Sequence, residues 1–135
     1  MLAIVDSGPL LATANSADPH HAACVATMTG RGFDLLIPTL CVGEVCYLLG
    51  SRHGSEAEAR FVRGLADFRV VAPEPADWLR IGELVRTYRD LPLGATDASV
   101  AVLADRMGTR RILTLDRRYF SVVRNSRGEA FELHP

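Results

Sequence analysis

Lysine is missing from this 135-residue chain; all 15 of its basic residues are arginine. Phosphotransfer receivers and haloacid-dehalogenase-like phosphatases both rely on a lysine beside a strand-end aspartate, so neither class fits. The phosphatases also need a second acid two residues after the first, where this chain has Gly8. No G-x-G-x-x-G follows the first apolar run, which argues against a dinucleotide site. Cysteine is scarce: Cys24, Cys41 and Cys46 are odd in number and lack C-x-x-C spacing. That speaks against a disulfide framework or a cysteine-zinc site and leaves small, partly buried thiols. Apolar runs stop at four or five residues, too short to cross a membrane. With no basic start and long apolar core to mark a secretory signal, the expected location is the cytosol. His20 and His21 would point ~100° apart on a helix and are read as surface residues, not joint ligands of one ion.

What is present is an ordinary folded composition, 48% hydrophobic and 23% charged. The length suits one domain spanning 1–135 with a core of its own. Short apolar strands are predicted at Leu2–Val5, Leu35–Ile37, Arg69–Ala72 and Arg111–Leu115, with a further edge strand at Phe131–Leu133. Helices are predicted between them. They run over Pro9–Asn15, from an Asp18 cap with Pro19 to the Gly30-Arg31-Gly32 stop, and from a Thr39 cap to near Gly54. Another runs from a Ser55/Glu58 capping box to about Asp67, and another from Pro75 to Arg89. On the last, Trp78, Leu79, Ile81, Leu84, Val85 and Tyr88 are available for burial. Thr96–Met107 is apolar almost all round, which predicts a central buried helix stopped by Gly108. Buried strands alternating with helices mean an α/β fold, a central parallel sheet of four or five strands covered on both faces.

Four acids stand out against this frame. Asp6 and Asp116 are each the first polar residue after a buried strand. In a parallel sheet with right-handed crossovers such positions share one edge, where ligands bind when the strand order reverses. Asp97 opens the buried helix, and Glu44 lies early on its own helix. Each has a plain reading too: Asp97 as a helix-terminal acid, Asp6 and Asp116 as turn residues, Glu44 as a surface glutamate. The joint pattern argues for convergence. Two carboxylates ~5 Å apart repel by roughly 3 kcal/mol at an effective dielectric near 20, so a cluster of four takes up protons or needs cations. Oxygen donors without cysteine or histidine select hard ions, Mg²⁺ or Mn²⁺. Such a site suits metal-assisted phosphodiester hydrolysis.

The segments Asp6-Ser7-Gly8, Thr39–Glu44, Leu93–Ala98 and Ile112–Phe120, in this order and spacing, resemble those of PIN-domain ribonucleases. The resemblance spans essentially the whole chain and is strongest to VapC-type toxins of bacterial toxin–antitoxin pairs. It implies a PIN-like three-layer fold, Mg²⁺- or Mn²⁺-dependent endonucleolytic cleavage of RNA, homodimers, and a cognate VapB-like antitoxin whose tail covers the acidic pocket. Carried over by position, Asp6, Glu44, Asp97 and Asp116 match the family's four acids. In that reading Asp6, Asp97 and Asp116 hold the metal, and Glu44 completes the shell or orients the attacking water. Ser7 and Thr114 match small hydroxyl positions beside the metal, and Asp90 matches an outer acid that also suits a turn.

Net charge is −1, which by itself disfavours nucleic acid as a partner. The distribution says otherwise: seven arginines fall between Arg106 and Arg127 against a single acid, Asp116. Arg117 and Arg118, adjoining that acid, are candidates for contacting an RNA backbone, or else exposed turn residues. The rival to an enzyme is a catalytically silent RNA- or protein-binding module on the same fold, and dependence on metal separates the two.

Overall fold

A computed structural model describes residues 1–135. Five parallel strands form one sheet in the order β3-β2-β1-β4-β5, with β1 at Leu2–Val5, β2 at Asp34–Pro38, β3 at Arg69–Val71, β4 at Arg111–Leu113 and β5 at Glu132–His134. Ala3, Ile4 and Val5 are fully buried at its centre, as expected of a strand covered on both faces. Both edge strands, β3 and β5, are partly exposed. The sheet anchors one apolar cluster of 23 buried residues.

Seven helices surround it: α1 (Ser7–Ala14), α2 (His21–Thr29), α3 (Thr39–His53), α4 (Ser55–Gly64), α5 (Pro75–Thr87), α6 (Ala95–Arg106) and α7 (Arg117–Phe120). From β1 the chain steps to β2 and then β3, each time through a helix pair; through α5 and α6 it returns across to β4. Right-handed connections put the outward steps on one face and the return on the other. The three layers and the parallel sheet agree with the sequence reading. None of the helices is long and apolar enough to cross a membrane.

Helix α6 is the central one, buried from Ala98 to Ala104 and packed across β1, β2 and β4. It ends in a Schellman motif: the Gly108 amide bonds to Asp105 O at 3.1 Å and the Thr109 amide to Ala104 O at 3.0 Å. That closure needs a left-handed residue, and Gly108 supplies it at φ 71°.

Several expectations shift. Asp18 does accept a hydrogen bond from the His20 amide at 2.8 Å, but the turn it makes delays α2 to His21. Thr39 and Ser55 lie inside α3 and α4 and cap neither. Gly54, at φ 88°, joins the two helices tightly, and the Glu58 carboxylate turns toward Gly50 rather than back to Ser55. On α5, Ile81 is buried, but Trp78 and Leu79 stand out at 52% and 75% exposure. They directly follow the buried Asp77, which takes the inward position on that turn. Strand β4 stops at Leu113, leaving Thr114 and Leu115 as a connection to the unexpected α7.

Asp77 ties the return connection together. It accepts from the Glu74 amide at 2.8 Å, closing the capping box of α5. Its Oδ2 lies 2.9 Å from Arg106 Nε on α6, out of line for a straight hydrogen bond, so this contact is an ion pair. Replacing Asp77 by Ala is expected to cost about 2–4 kcal/mol in urea unfolding, because it removes a cap and leaves a half-buried guanidinium short of its partner. Exposed Leu79→Ala should stay within about 0.5 kcal/mol.

Candidate active site

The strand order reverses between β1 and β4, and a cleft opens there at the carboxyl ends of the strands. Its volume is about 410 Å³, and Asp6, Ser7, Gly8, Glu44, Asp97, Leu115, Asp116 and Arg118 line it. The four acids singled out in the sequence thus share one cleft. They arrive from four separate elements: the end of β1, α3, the first turn of α6, and the turn after β4.

Asp6 is the deepest of them, 4% exposed. Its amide continues the sheet by bonding to Leu113 O at 2.9 Å. Its carboxylate serves two partners: Oδ1 accepts from the Ser7 amide at 2.8 Å, capping α1, and Oδ2 accepts from Thr114 Oγ1 at 2.8 Å. Thr114 is itself buried and fixed, its amide bonded to His134 O on β5 at 2.7 Å. Thr114 Oγ1 accepts from the Asp116 amide at 3.0 Å. One hydroxyl therefore sets the spacing between two acids 110 residues apart in sequence.

Asp116 caps α7, accepting from the Arg118 amide at 3.1 Å, and its other oxygen faces the Arg118 guanidinium at 3.6 Å. Asp97 is half-buried in the first turn of α6, where Gly94 rather than Asp97 is the N-cap. Glu44 is exposed at the lip. The capping roles that offered plain readings for Asp6 and Asp116 are real, and the same side chains also line the cleft.

Burial pushes the Asp6 carboxyl up to about 6, opposed by the hydrogen bonds from Thr114 and Ser7 and assisted by the charges of Asp97 and Glu44. Asp97 is raised as well, first by desolvation and then by Glu44, with the Gly94 backbone and Arg118 pulling the other way. Helices α1 and α6 both begin at the cleft, and their N-terminal dipoles offset part of this charge.

As the side chains stand, no three acids close into a ligand cage. Direct three-carboxylate ligation is thus not drawn by the geometry. The donor set still fits a hard divalent ion. Every polar donor lining the cleft beside the arginine is oxygen, and the Ser7 hydroxyl is buried with no hydrogen-bond partner. Mg²⁺-type sites commonly use one or two carboxylates and complete the shell with water and phosphate.

The other candidates separate. Asp90 is exposed and outside the cleft lining, which leaves it the turn role. Arg117 donates to the main-chain oxygen of Pro135 at 2.7 Å and faces away, whereas Arg118 lines the cleft. Sequence reasoning missed Cys41, whose buried thiol is held protonated by desolvation and by Asp6 beside it. Its placement one turn before Glu44 on α3 was the available signal.

Residues 3–125 match the family model for the PIN domain. The chain is 37% identical over 134 residues to ribonuclease VapC26 of Mycobacterium tuberculosis, covering 98% of this chain and 99% of that protein. Among solved structures, the sarcin-ricin loop cleaving toxin VapC20 of M. tuberculosis superposes with a TM-score of 0.77 at 17% identity, over 85% of this chain and 90% of that one. VapBC2 of Rickettsia felis, bound to a DNA fragment from its promoter, gives 0.70 at 12% identity over 99% and 98%. The chain belongs to the PIN-domain family, on the VapC branch. It is accordingly a divalent-metal-dependent nuclease.

The raised Asp6 carboxyl has a testable sign. A group that binds its proton more tightly when folded favours the native state at low pH, and that contribution is lost as pH rises from about 4 to about 6. At pH 7.5 and without metal, ionised Asp6 therefore costs on the order of 3 kcal/mol. Asp6→Asn is expected to melt several degrees above the unsubstituted protein in EDTA at pH 7.5, with the gap shrinking as pH falls and closing below about pH 4, as followed by circular dichroism.

Proposed function

We propose that the chain is an endoribonuclease that hydrolyses RNA phosphodiester bonds at this cleft, as the toxin of a type II toxin–antitoxin pair. The observation that supports it most is the meeting of Asp6, Glu44, Asp97 and Asp116 at the point where the strand order reverses. Asp6, Asp97 and Asp116 would surround the divalent ion, Mg²⁺ or Mn²⁺, one or two of them binding it directly and the rest through water, and phosphate oxygens would complete its shell. Such an ion supplies Lewis acidity to a phosphoryl oxygen and lowers the pKa of water.

The remaining work falls to side chains. Glu44, exposed at the lip, accepts a hydrogen bond from the attacking water and orients it. Ser7 Oγ, buried and without a partner in the protein, offers one donor and its lone pairs to water or phosphate. Thr114 holds Asp6 ionised and in place through its 2.8 Å bond. Arg118 is the cleft cation available to an RNA phosphate, while Arg117, held at Pro135, is not. A VapB-like antitoxin whose tail covers the cleft, assembly as a homodimer and action in the cytoplasm belong to the same proposal. The R. felis VapBC2 assembly of like fold supports an antitoxin partner.

Purified protein is expected to cut RNA with Mg²⁺ or Mn²⁺ and to stop in EDTA, and Asp97→Asn should lower the rate at least ~100-fold while remaining folded. Cleavage that persists in EDTA, or an Asp97→Asn protein of full activity, overturns the reading. Neither protein cutting under any metal would leave a silent binding module instead.

For the arginines, RNA binding is measured against salt concentration. Arg118→Ala should flatten the slope of log affinity against log salt by about one, and Arg117→Ala should leave it in place.

A further inference from the structure

Arg118 is the single cation lining a cleft that holds four acids. Its position is built rather than incidental. The backbone amide is fixed on Asp116, the guanidinium stands 3.6 Å from the other Asp116 oxygen, and its charge also bears on Asp97. The same guanidinium lies 4.5 Å over the Tyr119 ring and donates to the Tyr119 hydroxyl at 3.1 Å. These contacts hold a side chain that is still 71% exposed, so its head can leave Asp116 without disturbing the core. Tyr119 already holds it and continues to do so when it leaves Asp116. The neighbouring Arg117 has none of this, being engaged at Pro135 on the far side of α7.

A guanidinium and a divalent ion answer the same negative charge, and they repel each other. We propose that Arg118 is the built-in counter-ion of the cleft: its guanidinium and the divalent metal compete for Asp116 and Asp97, and metal binding releases it from Asp116 while it stays on Tyr119. The inference rests on the reading that these acids hold metal. It adds that metal affinity is held down by a residue that touches no metal, and that loading the ion frees an arginine for a phosphate.

The test measures Mn²⁺ binding to the whole chain by electron paramagnetic resonance of free Mn²⁺, at low ionic strength and without RNA. Arg118→Gln is expected to bind Mn²⁺ about three- to tenfold more tightly than the unsubstituted protein, the size expected for removing one positive charge ~6 Å from a divalent ion in a water-exposed site. Arg117→Gln should leave the affinity unchanged. In an Asp116→Asn background the gain from Arg118→Gln should shrink, since the shared carboxylate is gone. Arg118→Gln binding no more tightly, Arg117→Gln tightening as much, or an undiminished gain in Asp116→Asn would each overturn the proposal. Failure of the underlying metal reading looks different: Asp97→Asn, with Arg118 intact, would bind Mn²⁺ as well as the unsubstituted protein.

Discussion

A carboxylate at the end of a fully buried strand, with two more acids bearing on it, is the constraint around which this molecule is organised. Asp6 loses its hydration by lying at the sheet's rim, and the surroundings return only part of it: one amide, one hydroxyl and the start of α1. The balance leaves a group that keeps its proton to about pH 6 yet is ionised at neutral pH, at a standing cost to the fold. A protein selected only for stability would place an asparagine or serine there. That the acid persists, with α1, β4, α6 and α7 all arranged about it, is intelligible if its charge has a cation to meet.

Topology decides which residues share that fate. Because β1 lies between β2 and β4, the chain leaves β1 in one direction and comes back on the other side. The connections therefore diverge around the same strand end. Residues 6, 97 and 116 need no loop engineering to converge; the parallel sheet and the right-handed crossover deliver them. The return connection does this through α6, whose inner face has to be apolar throughout because it covers three strands at once.

The strands and the acidic cleft were legible because they rest on patterns that few competing forces can alter. Runs such as Leu2–Val5 are too apolar to leave the interior, and the first acid after such a run has to appear at the rim. Helix α6 was equally readable from its unbroken small apolar residues. Less readable were features set by the direction of one side chain. Arg117 and Arg118 are chemically identical neighbours, and only the short α7, with Asp116 as its cap, turns one into the cleft and the other out. Trp78 and Leu79 read as core residues by period, yet Asp77 holds the inward position because Arg106 waits there. The Ser55/Glu58 pattern failed as a cap for a similar reason: Gly54 closes the α3–α4 joint so tightly that Ser55 already lies within the helix.

The fifth strand reaches further than its edge position suggests. Its His134 carbonyl grips the Thr114 amide, and Thr114 in turn grips both Asp6 and Asp116. Whatever frays the last three residues of the sheet would loosen the cleft from a distance.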